Sequence, residues 1–423
     1  MSVLDEFEWR GMVSEATDGL REALAAGPLT AYIGFDPTAS SLHAGSLLTV
    51  MGLARLQRFG HAPIAIVGGG TGMIGDPSGK SQERVLLSRE QIDANVAGIR
   101  AQLERFLDFD AGPRAARIVN NADWLGTVDV LSFLRDVGKH FTVGYMLQKE
   151  SVSRRLASDE GISYTEFSYL VLQAYDFLQL FDRHGCVLQM GGSDQWGNIT
   201  AGIELIRKVR GRKAHGLVWP LMKNASGTKF GKTESGTIWL DAARTSPFRF
   251  YQFWLNTDDQ DVVAYLRFFT WLDQARIAEL EHASVEAPAA REAQRALARE
   301  VTGMVHGAAE LARAERASAV LFGGSIKEAA AEDLLLVFED VPSKAMSRQA
   351  FERSSVAAAA VETGLAASKG EAARLIRQGG VYLNGERVTD QRRLLTMADT
   401  IGGVLAVLQK GARERRLLRI EGD

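Results

Sequence analysis

Between about residues 29 and 240, short apolar runs of strand length alternate with longer amphipathic stretches, a pattern that calls for a parallel sheet covered by helices. The strand candidates are 29–35, 62–67, 116–119, 186–190 and 217–221. Between the second and third, Ser88 and Gln91 have the spacing of a capping box. The helix they open carries Ile92, Val96, Ile99, Leu103 and Phe106 on one stripe. The fold class that follows is α/β.

From about 245 to 335 the strand signals fade and Ala, Glu and Arg dominate, which predicts an all-helical region. The segment 341–347, with Pro342, Ser343, Lys344 and Ser347, reads as a linker. Beyond about 350 a separate pattern begins. Ser368 and Glu371 form a second capping box, opening a helix through Leu375 and Ile376 that stops at Gly379 and Gly380. Residues 381–388 then read as two short strands around the turn Asn384-Gly385. The expected domains are therefore 1–240, 241–340 and 350–423. A chain of 423 residues is long enough for two or three cores.

The net charge of −3 excludes a protein coated in nucleic acid along its length, but not one basic patch. Residues 351–423 hold twelve Lys and Arg against nine Asp and Glu, with Arg413, Arg415, Arg416 and Arg419 crowded at the end. A lone cysteine, Cys186, points to a reducing compartment. The first ten residues lack a basic-then-apolar signal pattern, and no run of 18 apolar residues exists. The expectation is a cytoplasmic, multidomain protein with no membrane partner.

Several segments carry phosphate chemistry or imitate it. The stretch 32–46 joins the first strand to a long helix, with Pro37 breaking the strand and His43 at the helix start. A helix N-terminus presents free N–H groups and a positive dipole end, so an imidazole or Thr38 there can add a donor to an anion. His43 fits a simple capping role equally well. Residues 70–75 spell the dinucleotide fingerprint GTGMIG, but they follow the second strand, and Asp76-Pro77 is a poor opening for the helix that motif needs. Residues 79–81 resemble the end of a P-loop, yet Ile74 stands where its first glycine belongs. What survives is a glycine-rich loop that lets Asp76 approach a ligand, with Lys80 and Arg84 nearby. Lys229 and Lys232 flank a glycine in a polar loop and can swing onto a polyphosphate, although a pair of this kind taken in isolation reads as a solvated surface loop.

The helix predicted over 165–181, capped by Thr165, places Tyr169, Gln173 and Asp176 on one face. Its other positions are largely apolar, so the polar stripe faces a ligand or a buried hydrogen-bond network. Residues 191–195 follow the strand at 186–190, at the carboxyl end where open α/β sheets bind ligands.

Taken together, residues 32–46, 68–80, 164–177, 191–204 and 229–234 resemble, in order, the motifs of the class I aminoacyl-tRNA ligases, and among them the tyrosine enzymes of bacteria. The likeness runs from about residue 29 to the C-terminus. It implies a Rossmann-like parallel-sheet catalytic domain, an α-helical domain and a small α+β RNA-binding domain of a type also found in a ribosomal protein. Residues 42–46 stand for the HIGH motif and 229–233 for KMSKS. By matching position, the resemblance assigns the substrate phenol to Tyr32 and Asp176, and its ammonium group to Asp76, Tyr169 and Gln173. Gln195 lies beside the amino acid and Asp36 lines the same pocket. Gly34, Gly192 and Asp194 contact the nucleotide. Thr38 and His43, with Lys229 and Lys232, stabilise the leaving pyrophosphate. In the tail, the helix after Ser368, with Lys369, Arg374 and Arg377, meets tRNA. The implied partners are L-tyrosine, ATP and tRNA(Tyr), with no tightly bound cofactor, Mg2+ carried by ATP, and a homodimeric assembly.

Two positions depart from the family pattern: Ser46 replaces the second histidine of HIGH, and Ile33 replaces the usual cysteine of the first strand. Ser46 still offers a hydrogen bond to the nucleotide; Ile33 does not, and one such bond is worth ~1 kcal/mol. Two other readings remain open on the sequence: a ligase of the same fold for tryptophan, and an RNA-binding protein on a synthetase scaffold. A Tyr32–Asp176 pair favours a ligand hydroxyl that both donates and accepts.

Overall fold

In the computed structural model the apolar runs become strands: β1 (Glu15–Ala16), β2 (Thr30–Phe35), β3 (Ala62–Val67), β4 (Arg117–Asn120), β5 (Cys186–Gly192) and β6 (His215–Trp219). Residues 2–78, 87–158, 161–222, 230–233, 236–321, 326–339, 341–411 and 414–421 are described. The sheet order is β1-β6-β5-β2-β3-β4, parallel except for the edge strand β1. The chain winds from β2 outward through β3 and β4, then returns to add β5 and β6 on the other side. Order reverses between β2 and β5, and a crevice opens at the carboxyl ends of those two strands. Pro220 follows β6 at once, so the last expected strand starts earlier and ends earlier than its apolar run.

Chain contacts divide the molecule into two compact units, Met1–Thr245 with Asn256–Glu300, and Ser246–Leu255 with Val301–Asp423. In the first, the helix Leu47–Arg58 follows β2 and is buried along most of its length. Ser88 and Gln91 make the reciprocal capping box expected of them at the start of Arg89–Leu103. Ile92, Ile99 and Leu103 are buried, whereas Phe106 lies beyond the helix end. The helix expected at 165–181 is longer, Tyr164–His184, and its cap is Ser163, not Thr165. Ser163 accepts from the Glu166 amide, and Gly185 ends the helix in the left-handed region. A short hairpin, β7 (Lys232–Thr233) and β8 (Gly236–Thr237), follows β6.

The second unit holds a sheet of β9 (Ser343–Ser347), β10 (Val381–Leu383), β11 (Glu386–Arg387), β12 (Leu405–Lys410) and β13 (Glu414–Glu421), ordered β11-β10-β12-β13-β9. The segment read as a linker is thus a strand, paired in parallel with β13. Its few apolar residues hid it: only Met346 is buried. Alternation along β12 gives the sheet two covered faces. Ala406 and Leu408 pack with Phe351, Val356 and Ile376, while Leu405 and Val407 pack with Leu334 and Phe338. Asn384 and Gly385, both at positive φ, turn β10 into β11 as expected. Ser368 caps the helix Lys369–Arg377, but Glu371 reaches the Ala367 amide rather than closing the box. Among the described residues no helix is long and apolar enough to cross a membrane.

Candidate active site

A cavity of about 690 Å3 lies at the carboxyl ends of β2 and β5. It is lined by Tyr32, Gly34, Asp36, Thr38, His43, Ser46, Asp76, Tyr169, Gln173, Asp176, Gly192, Asp194 and Gln195, every one a position singled out from the sequence. A register shift between Thr30 and Ala31 sets Tyr32 opposite Gln189 on β5. The volume suits a small molecule with few polar anchors.

At the buried end stand Tyr32 and Asp176. The Tyr32 ring meets Phe177 edge-on at 5.2 Å, and its hydroxyl, wholly enclosed, has no hydrogen-bond partner among the described residues. Asp176 accepts from Asn121 Nδ2 at 2.9 Å and from Trp124 Nε1 at 2.7 Å. Burial raises its carboxyl to about 7, against the two donors, which lower it. Burial and the neighbouring Asp176 push the Tyr32 hydroxyl well above its ordinary value. An unpaired buried hydroxyl beside a carboxylate costs stability unless something else satisfies it.

Further along, Tyr169 donates to Asp36 Oδ2 at 3.3 Å and Thr71 donates to Asp36 Oδ1 at 3.2 Å. Asp76 accepts from the Ser78 amide and from Gln195 Nε2, both at 2.8 Å. Asn198 Nδ2 reaches Gln195 Oε1 and Gln173 Oε1, both at 3.1 Å. Two carboxylates, Asp36 and Asp76, and the Tyr169 phenol therefore line one wall, an arrangement that attracts a cation such as a ligand ammonium. The fingerprint at 70–75 makes one 3-10 turn, Thr71–Met73, rather than the helix a dinucleotide site requires.

The other end is built from backbone. The Ala44 amide donates to the Ile238 carbonyl at 2.8 Å, and the Ile238 amide donates to the Gly231 carbonyl at 3.1 Å. Leu240 N donates to Leu42 O at 2.9 Å, and His43 pairs with Trp239 as an isolated bridge. Ile238 thus ties the His43 segment to the turn after residue 229 through main-chain groups alone. Ser46 Oγ lies 3.5 Å from His43 Nδ1. Ile33 is buried on the cavity wall.

Some expected residues fall elsewhere. Lys80, Arg84 and Lys229 lie outside the described residues, and for Lys232 only the backbone, in β7, is described. Lys369, Arg374 and Arg377 are exposed on their helix in the second unit. Sequence reasoning missed Asn121, Trp124, Thr71 and Asn198. Asn121 is the most connected of these: its side chain also accepts from the Gly70 amide at 2.7 Å and donates to Thr71 Oγ1 at 2.9 Å. The signal available was the run Asn120-Asn121 at the carboxyl end of a strand, polar where the strand had been apolar.

Residues 24–323 match the model of the class I tRNA synthetases (W and Y), and residues 333–418 match the tyrosine–tRNA ligase SYY-like C-terminal domain. The tyrosine–tRNA ligase of Roseiflexus castenholzii is 58% identical over 421 residues, covering 99% of both chains. The chain belongs to the tyrosine–tRNA ligase family. That of Bacillus caldotenax is 52% identical over 422 residues, covering 99% of this chain and all of its own. A C-terminally truncated mitochondrial tyrosyl-tRNA synthetase of Aspergillus nidulans matches with a TM-score of 0.69 at 30% identity, over 76% of this chain and 94% of its own. The expected Rossmann-like sheet, helical region and C-terminal sheet are those of a tyrosine–tRNA ligase of class I, and the second family match accounts for the tail.

Proposed function

We propose that the cavity holds L-tyrosine and ATP side by side, and that this tyrosine–tRNA ligase makes tyrosyl-adenylate and then loads the 3′ end of tRNA(Tyr). The observation that carries the reading is the enclosed Tyr32 hydroxyl beside Asp176. A phenol hydroxyl satisfies both at once, accepting from Tyr32 and donating to Asp176. An indole N–H donates only, and leaves Tyr32 unsatisfied.

The tyrosine carboxylate attacks the α-phosphate of ATP in line, forming the acyl phosphate bond as pyrophosphate leaves. The terminal ribose hydroxyl of the tRNA then attacks the adenylate carbonyl, and AMP leaves. The first step needs no protein nucleophile; the chain positions the reactants and neutralises charge. Asp76, Tyr169 and Gln173 hold the ammonium group, with Asp36 and Gln195 lining the same wall. Gly34, Ser46, Gly192 and Asp194 hold the nucleotide. Thr38, His43, Lys229 and Lys232 draw off the charge that grows on pyrophosphate, together with the Mg2+ that ATP brings. No tightly bound cofactor takes part.

The exposed Lys369, Arg374 and Arg377 support a tRNA-binding role for the tail. A homodimer is supported by apolar side chains left in water between residues 130 and 164, among them Leu131 and Tyr164, each 75% exposed. A cytoplasmic site of action fits the lone, buried Cys186. Exchange of labelled pyrophosphate into ATP tests the reading: it should depend on tyrosine and be unmoved by tryptophan. Exchange driven by tryptophan, or none with either amino acid, overturns it.

A further inference from the structure

At Phe230 the turn after residue 229 is held by ring packing. Phe230 is buried, stacks on Phe269 at 5.3 Å with 18° between the planes, and meets Tyr265 edge-on at 4.8 Å. Tyr265 and Phe269 lie one helical turn apart on Val262–Phe269 and pack on each other at 5.9 Å. Offset and edge-on ring pairs of this kind favour particular geometries, so they locate a chain as well as bury it.

The seat is itself held in place. Carbonyls at a helix C-terminus lack intrahelical partners and carry the negative end of the dipole. Here two buried guanidiniums serve them. Arg55 donates to the carbonyls of Phe268, Arg267 and Thr270 at 2.8, 3.2 and 2.8 Å. Arg10 donates to those of Arg267, Thr270 and Leu272 at 2.7, 3.3 and 2.9 Å. Arg55 sits in the last turn of Leu47–Arg58, the helix whose beginning follows His43 and Gly45. One helix therefore carries the nucleotide signature at its start and clamps the aromatic seat at its end.

We propose that Phe230, seated on Tyr265 and Phe269, is a positioning residue that sets where Lys232 stands relative to the pyrophosphate. The inference rests on the role given to Lys232 above. Lys232 is two residues from Phe230 and the intervening Gly231 has no side chain, so the Phe230 ring is the packed side chain that leads into the lysine, beside the main-chain pairing of Lys232 with Thr237.

The test is a double-mutant cycle read by single-turnover formation of tyrosyl-adenylate, using Phe230→Leu, Lys232→Ala and the double variant. Phe230→Leu should slow adenylation roughly tenfold, less than the ~100-fold that a misplacement of about 1 Å can cost, with the tyrosine dissociation constant unchanged. In the Lys232→Ala background the same change should have no further effect. An equal tenfold loss in both backgrounds, or no loss in the wild type, overturns the proposal. A wild-type rate for Lys232→Ala overturns the role of Lys232 and the positioning with it; a slow Lys232→Ala beside an unaffected Phe230→Leu overturns the positioning alone. Should Phe230→Leu fold poorly, Phe269→Leu enters the same cycle from the other side of the seat, with the same outcomes.

Discussion

Gly231 lies against Gly45 so closely that a β-carbon on Gly231 would stand 2.8 Å from the Gly45 amide nitrogen. A β-carbon on Gly45 would in turn meet the Phe230 carbonyl at 3.2 Å and the His43 ring at 2.9 Å. Gly231 also has φ of +81°, where an L side chain costs about 1–2 kcal/mol before any clash. Gly231→Ala should therefore part the two segments and slow adenylation by roughly tenfold or more. Tyrosine affinity, which the proposed function assigns to the far end of the cavity, should hold. Stopped-flow measurement of adenylate formation checks this; an unaltered rate would show that the two segments need not touch.

Lys232 should act in the transition state rather than in substrate binding. Lys232→Ala is expected to lower the adenylation rate by about two to three orders of magnitude, as for one lost preorganised contact. A large rise in the tyrosine dissociation constant at an unchanged rate would assign the residue to binding instead.

Discrimination between tyrosine and phenylalanine should divide unevenly between Tyr32 and Asp176. Tyr32→Phe removes one neutral hydrogen bond and should cost about 0.5–1.5 kcal/mol in kcat/KM for tyrosine. Asp176→Ala should cost more, because it also leaves the buried Asn121 amide and Trp124 N–H without their acceptor. The ratio of kcat/KM for the two amino acids in pyrophosphate exchange is the measurement. Wild-type ratios in both variants would place the phenol contacts elsewhere.

Acidity offers an independent probe of Asp176. With its carboxyl at about 7, the ligand-free site takes up a proton as pH falls through neutrality and loses its charged acceptor. Tyrosine binding should then weaken below pH 7, and Asp176→Asn should flatten that profile. The same shift has the opposite sign for folding. A carboxyl raised above its ordinary 3.8 binds more protons folded than unfolded, so this group makes the free protein less stable as pH rises from about 4 to about 7. Calorimetric titration with tyrosine and thermal melts across this range test both signs.

A truncation meant to separate activation from charging should end after the helix Ala308–Leu321, not near residue 341. Leu334 and Phe338 are buried against Ile401, Leu405, Val407 and Leu417, so cutting between them and the sheet exposes apolar surface. The shorter protein should still form tyrosyl-adenylate but charge tRNA poorly. Its tRNA binding should also depend less steeply on salt, having lost phosphate contacts. Normal aminoacylation by this truncated protein would remove the tail from tRNA recognition.

The parallel sheet was legible because each central strand is a largely apolar run, and the stripe Tyr169, Gln173 and Asp176 because its helix is largely apolar elsewhere. β9 was not legible: an edge strand with one buried side chain resembles a polar connector. Ser163 was missed as a cap because Thr165, two residues on, satisfies the same local rule, and only the geometry of the first turn separates them. Asn121 and Trp124 were missed for another reason. They act on Asp176 from the segment that follows β4, 55 and 52 residues away in the chain, and no local pattern encodes such a partner.

The junction at Ile238 joins the His43 segment to the turn at Gly231 through an amide and a carbonyl, groups that nearly every amino acid supplies. What is specified there is chain length and not residue identity. Replacing Ile238 by another strand-forming residue leaves both hydrogen bonds available, whereas deleting one residue between Thr237 and Leu240 shifts the amide and carbonyl out of reach of Ala44 and Gly231 together. Natural variation at this junction should accordingly be rich in substitutions and poor in insertions and deletions.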